Sequence, residues 1–315
     1  MARPPKADLP LRAGVSPSCV ALPAGPWVSV LEFLVQRLPA LSEAQWRDRF
    51  ARGLVLDAQG KALSEAAAYA RGTKVYYYRE VDHEPTLPFA PQVVFEDEHL
   101  LVADKPHFMP VLPTGRYVQQ SLLVQMKRLS GCASLSPIHR IDRETAGLVV
   151  FAKQPQERDA YQRLVREQAL DKLYLGVSAW AGERVPAVYR SQLAEDPERF
   201  FVMREASGPP NSETRLRLLR VQDGRALLAL KPVSGRKHQL RVHLLALGLP
   251  LLGDRFYPEV REGPDAPADF ADPLQLLAKR LRFRDPITGR WRRFESPSAL
   301  ALAPAHAHGA LAQAR

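Results

Sequence analysis

Apolar residues change their spacing several times along the chain, and each change marks an element. Val30, Leu31, Leu34, Val35 and Leu38 recur at helical spacing, and Pro39 stops that helix. Ser42 with Gln45 forms a capping box that opens a second helix carrying Trp46, Arg47, Arg49 and Phe50, and Gly53 is placed to end it. Residues 54–56 and 74–78 read as short strands. After a proline-bearing stretch at 83–91, Val93-Val94-Phe95 and residues 100–103 form strands around the acidic turn Glu96-Asp97-Glu98. A helix over 121–129 carries Leu122, Leu123, Met126 and Leu129 on one stripe; residues 148–152 are a buried strand, and 156–167 a helix. Leu173, Leu175 and Val177 alternate with Lys172, Tyr174, Gly176 and Ser178, a half-buried strand with Tyr174 off its core face. Further strands fit 214–221, 226–232 and 281–284. Runs of strands with interspersed helices indicate an α+β fold, not a regular βαβ alternation.

These patterns divide the chain into five parts: a disordered arm (1–26) rich in proline, a small unit (27–82), a linker (83–91), a large domain (92–298) and a disordered, alanine-rich tail (299–315). The tail holds His306 and His308, a weak candidate metal tract. Composition adds a direction. The 315 residues are 46% hydrophobic and 25% charged, the balance of a globular enzyme, and 44 Lys and Arg against 34 Asp and Glu leave a net charge of +10. That excess favours a polyanionic partner, because neutralising phosphates releases counterions. Cys19 and Cys132 lie too far apart to form a disulfide framework or a metal-ligand pair, which fits a reducing, cytoplasmic setting. No apolar run approaches the roughly 18–20 residues of a membrane span.

Three stretches could carry chemistry. Asp142, between Arg140 and Arg143 just before the strand at 148, is a carboxylate that neighbouring guanidinium groups would hold ionised, as a nucleophile requires. Residues 234–243, Ser-Gly-Arg-Lys-His-Gln-Leu-Arg-Val-His, lead into a helix that Gly248 ends. On it His238 and Arg241 share a face, Lys237 and Arg241 are near neighbours, and the basic start suits phosphate or carboxylate. His238 and His243 are five residues apart, which is wrong for a metal, and no HExxH pattern is present. Tyr174, in Lys172-Leu173-Tyr174, is the third.

Together these stretches resemble the RluA-type pseudouridine synthases. His139-Arg140-Ile141-Asp142-Arg143-Glu144-Thr145-Ala146-Gly147-Leu148 is similar to that family's His-Arg-Leu-Asp-x-x-Thr-Ser-Gly-Leu signature. Phe95-Glu96-Asp97 and Asp104-Lys105-Pro106 match its upstream elements, and Lys172-Leu173-Tyr174 its Lys-x-Tyr. Gly235 to His243 match its Gly-Arg-Thr/Ser-His-Gln-Ile/Leu-Arg-Val-His, and Gly248-Leu249-Pro250 and Gly253-Asp254-Arg255-Phe256-Tyr257 its following segment. Two positions depart: Ala146 where Ser is usual, at the expected loss of one local hydrogen bond, and Leu277 where His is common.

The resemblance implies an α+β catalytic domain on a mixed, mainly antiparallel sheet, and conversion of uridine to pseudouridine in structured rRNA or tRNA. It implies Asp142 as nucleophile, Tyr174 lining the base, and Arg241 paired with Asp142 in a bidentate bridge. Arg140 would fill the stack vacated by a flipped base, and Ile141 would wall it. His139, Lys105, Arg236, Lys237 and His238 complete the expected RNA-binding set. Neither cofactor nor metal is called for, and RNA is the one partner of a monomer. The small unit resembles an S4-type RNA-binding module, on its two helices, Arg52-Gly53-Leu54-Val55 and Gly72-Thr73-Lys74-Val75. The rivals are a non-catalytic RNA-binding protein and a base-releasing N-glycosidase; the latter usually calls for a second carboxylate, for which Glu144 is the near neighbour.

Overall fold

The computed structural model describes residues 9–304 except 82, 262, 264, 265 and 268, in two compact units, Met1–Glu84 and Pro85–Arg315. In the first, strand β1 (Ser18–Ala21) is followed by helices α1 (Val30–Arg37) and α2 (Glu43–Ala51) and strands β2 (Val55–Leu56) and β3 (Lys74–Tyr77), with β3 central in an antiparallel sheet. The capping box forms: Ser42 Oγ accepts from the Gln45 N–H at 3.3 Å, and Gln45 Oε1 accepts from the Ser42 N–H at 2.9 Å. Phe33, Leu34 and Trp46 are wholly buried between helices and sheet.

The expected disorder of residues 1–26 is wrong for those described. Ser18 to Ala21 pair in register with Tyr77 to Lys74, and Leu22 is buried. Pro17 and Pro23 flank this strand instead of interrupting it, so a high proline count concealed four residues that pair normally. The tail is corrected likewise. Leu300 is buried, and Leu302 and Ala303 pack beside it, while His306 and His308 lie outside the described residues.

The second unit runs β4 (Gln92–Glu96), β5 (Leu100–Lys105), α3 (Leu122–Ser130), β6 (Ser136–Pro137), β7 (Ala146–Ala152), α4 (Arg158–Arg166), β8 (Asp171–Ala179), β9 (Val188–Glu195), β10 (Met203–Ala206), β11 (Ser212–Gln222), β12 (Arg225–Pro232), α5 (Gln239–Ala246), β13 (Leu276–Arg284) and β14 (Trp291–Glu295). One sheet takes the order β10-β9-β11-β12-β8-β13-β7-β5-β4, with β14 added to β13 and β6 to β7. Its pairings are antiparallel except that of β13 with β7, so the sheet is mixed and mainly antiparallel, as expected. Among the described residues, β13 alone joins the β7-β5-β4 half of this hydrogen-bonded ladder to the β8-β12-β11-β9-β10 half.

Alternation explains how the sheet is covered. Leu101, Ala103, Val149 and Phe151 face one side, onto Leu122 and Met126 of α3; Leu100, Val102, Leu148 and Val150 face the other, onto Tyr161 of α4. Both faces of β8 are covered as well, so Tyr174 is not off the core: it is 8% exposed and packs with Leu228, Leu230, Leu240 and Leu244. A half-polar alternation in a central strand misled here, because the second face is buried by α5. Strands β9 and β10 do not show in the apolar pattern because Val-Tyr-Arg-Ser-Gln-Leu-Ala-Glu and Met-Arg-Glu-Ala carry no apolar period; only Leu193 and Met203 are buried, packed with Val242 of α5.

Gly147 sets the parallel junction. Its φ is +110°, and a Cβ there would overlap the backbone of Ala278, its partner on β13. We expect Gly147→Ala to destabilise the protein by about 3 kcal/mol or more, from strain and overlap together, measured by denaturant unfolding.

Candidate active site

Asp142 sits in the loop between β6 and β7, where the Thr145 N–H donates to its carbonyl at 3.2 Å and turns the chain into the strand. Tyr174 rises from the central strand β8, and Arg241 from the first turns of α5, which is held down by polar side chains. Gln239 Nε2 donates to the Glu213 carbonyl at 2.9 Å and to Thr214 Oγ1 at 3.0 Å. His243 bridges Thr214 Oγ1 and Ser212 Oγ, each at 2.9 Å. The helix begins at Gln239 behind His238, whose φ is +53°, so Arg236 and Lys237 stand in the exposed loop before it and not on its face.

The bidentate partner of Arg241 is Asp254, not Asp142. Arg241 Nε and Nη2 donate to the two Asp254 oxygens at 2.7 and 2.5 Å, with both side chains buried. Asp254 Oδ1 also accepts from the Phe256 and Tyr257 N–H groups at 2.9 and 3.2 Å, and the Arg241 guanidinium lies 5.2 Å from the Phe256 ring centre and 5.1 Å from that of Tyr257. Gly253 permits this approach, since a Cβ there would overlap the Pro273 carbonyl and its φ is +70°. The guanidinium is thereby fixed with Nη1 left over. That atom is buried, has no hydrogen-bond partner, and lies 3.8 Å from Asp142 Oδ2 and 3.9 Å from Glu144 Oε2.

The two carboxylates differ. Glu144 is buried and takes a 2.8 Å bond from Arg143 Nε; Arg143 and Arg241 together outweigh burial and hold its pKa below the usual carboxylate value. Asp142 keeps 27% of its side chain exposed and touches Arg241 only at salt-bridge distance. Burial raises its pKa above the ordinary value of 3.8, with Glu144 adding to the rise and Arg241, Lys105 and Lys237 opposing it. The flanking arginines do not ionise Asp142 as the sequence suggested: Arg143 serves Glu144, and Arg140 points to solvent.

The remaining expected residues sort by exposure. Arg140, Arg236 and Lys237 are exposed, and Ile141 is partly buried, packed against the clusters on either side of the loop. Lys105 has no accessible surface, so it does not meet RNA directly; its Nζ donates to the Pro106 and Arg143 carbonyls at 2.8 and 3.0 Å and ties down the loop. Burial lowers its pKa to about 7. His139 and His238 are also anchors. His139 Nε2 accepts from the Val150 N–H at 3.2 Å, and His238 Nδ1 meets Tyr257 Oη at 2.9 Å; burial lowers both to about 3, so both are neutral. Burial raises the pKa of Tyr174, with the Asp142 charge adding to it, so the phenol keeps its proton.

Sequence reading gave no role to Asp254, Gln239, His243 or Tyr257. The signal for Asp254 was chemical: an arginine inside an apolar helix needs a buried counter-charge. Among the described residues no group of three or more His, Cys, Asp or Glu is placed to hold a metal, and no helix is long and apolar enough to cross a membrane.

A family model described as RNA pseudouridylate synthase matches residues 99–246. An uncharacterized RNA pseudouridine synthase of Synechocystis is 30% identical over 232 residues, covering 72% of this chain and 79% of that one. The dual-specificity RNA pseudouridine synthase RluA of Escherichia coli is 32% identical over 211 residues, covering 65% of this chain and 92% of the relative. The solved structure of human RNA pseudouridylate synthase domain containing 1 shares the fold at a TM-score of 0.54 and 24% identity, over 69% of this chain and 86% of that one.

Removing the Asp254 charge should unseat Arg241. We expect Asp254→Ala to cost about 3–5 kcal/mol in denaturant unfolding, as breaking a buried pair does. Arg241→Met/Asp254→Asn, which removes both charges and keeps an oxygen for the Phe256 and Tyr257 N–H groups, should recover much of that stability without recovering activity.

Proposed function

This chain belongs to the RluA-type RNA pseudouridine synthases, which makes it an isomerase of uridine in RNA, and we propose that Asp142 is its nucleophile. The observation that carries this is the division of labour around Arg241: Asp254 and Glu144 are buried and hydrogen-bonded, while Asp142 alone of the three faces an opening.

The reaction breaks the C1′–N1 bond of uridine, turns the detached uracil, joins C1′ to C5, and moves the C5 proton away as N1 gains one. A carboxylate can open the glycosidic bond through a covalent intermediate on the sugar or the base, or by drawing a sugar proton; each route needs Asp142 ionised. Arg241 supplies that bias from a fixed position. Tyr174, protonated and packed beneath, offers a ring face to the uracil, with Ile141 at the wall. A stacked base cannot reach this depth, so the uridine is flipped at a cost of about a few kcal/mol, with exposed Arg140 filling its place. Arg236 and Lys237 on the rim would take flanking phosphates. The substrate class is a loop uridine of structured rRNA or tRNA, where bases splay out readily, and the protein acts as a monomer without cofactor. The S4-like unit at 27–82 would add RNA affinity, a proposal supported by its helix-helix-strand order and the charge of the chain.

Glu144 weakens the glycosidase alternative. A hydrolytic partner carboxylate would need a raised pKa to donate a proton, and that of Glu144 is lowered.

Purified protein incubated with total RNA from a deletion strain, followed by carbodiimide primer extension, reads the product directly. Wild type should give a new stop with no added metal or nucleotide. Asp142→Asn should lose the rate by about a thousandfold or more while binding RNA as before. Free uracil in place of the stop would identify a glycosidase. Because the Asp142 pKa is raised, the reactive ion is lost earlier as pH falls. The acid limb of the single-turnover rate should therefore lie above the ordinary carboxylate range, and Arg241→Gln should move it higher.

A further inference from the structure

We propose that the outer face of the β13–β14 hairpin is a second RNA-docking surface, which grips the backbone of the substrate's helical arm beside the catalytic opening. Strand register sets Arg282 opposite Arg293 and Arg284 opposite Trp291, and opposed residues share a face. All four are exposed, Trp291 to 64%, and the Arg282 guanidinium lies over the indole at 4.4 Å from its centre. The intervening Leu281, Phe283 and Phe294 point the other way into the core. Arg292 also lies off this face and is neutralised by Asp97 at 2.7 Å and Asp285 at 2.9 Å. On the outer face, Arg293 meets Glu295 only at 3.8 Å, with both side chains well exposed, a pair of little strength in water.

The chemistry fits nucleic acid more closely than a generic anion. A guanidinium stacked on indole keeps its N–H edges free for bidentate phosphate bonds, and the ring offers a flat surface to a sugar or an unpaired base. The position fits too. Ala278 pairs with Tyr174, and beyond the register shift at 278–280 Arg282 pairs with Asp171, three β8 residues from Tyr174, about 10 Å at ~3.3 Å per residue, with Arg284 at about 17 Å. A uridine flipped onto Tyr174 would leave its stem within that span. The inference rests on RNA being the substrate of this unit.

The test uses the full chain and two labelled RNA hairpins with the same loop, one on a stem of about three base pairs and one on a stem of about sixteen. Affinity is followed by fluorescence anisotropy over a salt series. Arg284→Glu/Arg293→Glu should bind the long hairpin about tenfold or more weakly, with a log K against log salt slope shallower by about two units, and the short hairpin normally. Arg284→Lys/Arg293→Lys should keep the slope, and Trp291→Ala should weaken long-stem binding without changing it. Unchanged affinity and slope on the long hairpin would overturn the proposal. So would an equal loss on both hairpins, or a loss confined to vesicles of anionic phospholipid. Pseudouridine formation by wild type is scored separately. A protein that makes none yet shows the patch-dependent slope would sink the assignment of Asp142 and leave the docking surface standing.

Discussion

The site depends on one buried ion pair. Arg241 could not lie inside the apolar packing around α5 without a counter-charge, and Asp254 supplies it in two charge-assisted bonds while itself held by two backbone N–H groups. This uses up Nε and Nη2 and fixes the plane of the guanidinium. What remains is one N–H-bearing corner aimed at Asp142 and Glu144. A freely rotating arginine could satisfy itself on Asp142 in the bidentate bridge that the family resemblance implied, and that carboxylate would be tied up. Asp254 prevents that. The proposed nucleophile, Asp142, is kept near a positive charge at salt-bridge distance only, an arrangement whose orientation is set by the fold.

The two departures from the family pattern turn out to be one feature. Ala146 and Leu277 are register partners across the single parallel pairing, and both are buried in the same apolar cluster with Leu175, Val177 and Leu227. A serine facing a histidine there would form a polar contact; an alanine facing a leucine forms an apolar one. Neither leaves a buried polar group unmet, so the hydrogen bond expected to be missing has no widowed partner. Asp142 lies four residues before this junction.

Much of this was legible in the chain. Helices α1 to α4 and strands β2 to β5, β7 and β8 followed from apolar period and capping, and Asp142, Tyr174 and Arg241 are brought to one place from three distant stretches. The failures have physical causes. Period cannot show a strand such as β9, whose covered face is lined mostly by polar side chains, nor a second buried face on a central strand, which hid the packing of Tyr174. Charge adjacency along the backbone misjudged Arg140 and Arg143, because a tight turn sends neighbouring side chains in different directions. Lys105 and His238 looked like RNA ligands by type, yet each is spent inside, bonding a carbonyl or a phenol. Residue type at a motif position says which groups are present, not which of them reach solvent.

The place of β13 in the sheet has a consequence for the newly made protein. Asp142 belongs to the half of the ladder that emerges from the ribosome first, while Tyr174 and Arg241 belong to the other half. When α5 has been synthesised, every one of those three groups exists, but the strand that zips the halves together does not begin until residue 276, about thirty residues later in the chain. A nascent polypeptide surrounded by ribosomal RNA thus carries all the parts of the site with no geometry to use them. The two halves of the ladder share one hydrogen-bonded framework only once residues 276–284 lie between β8 and β7.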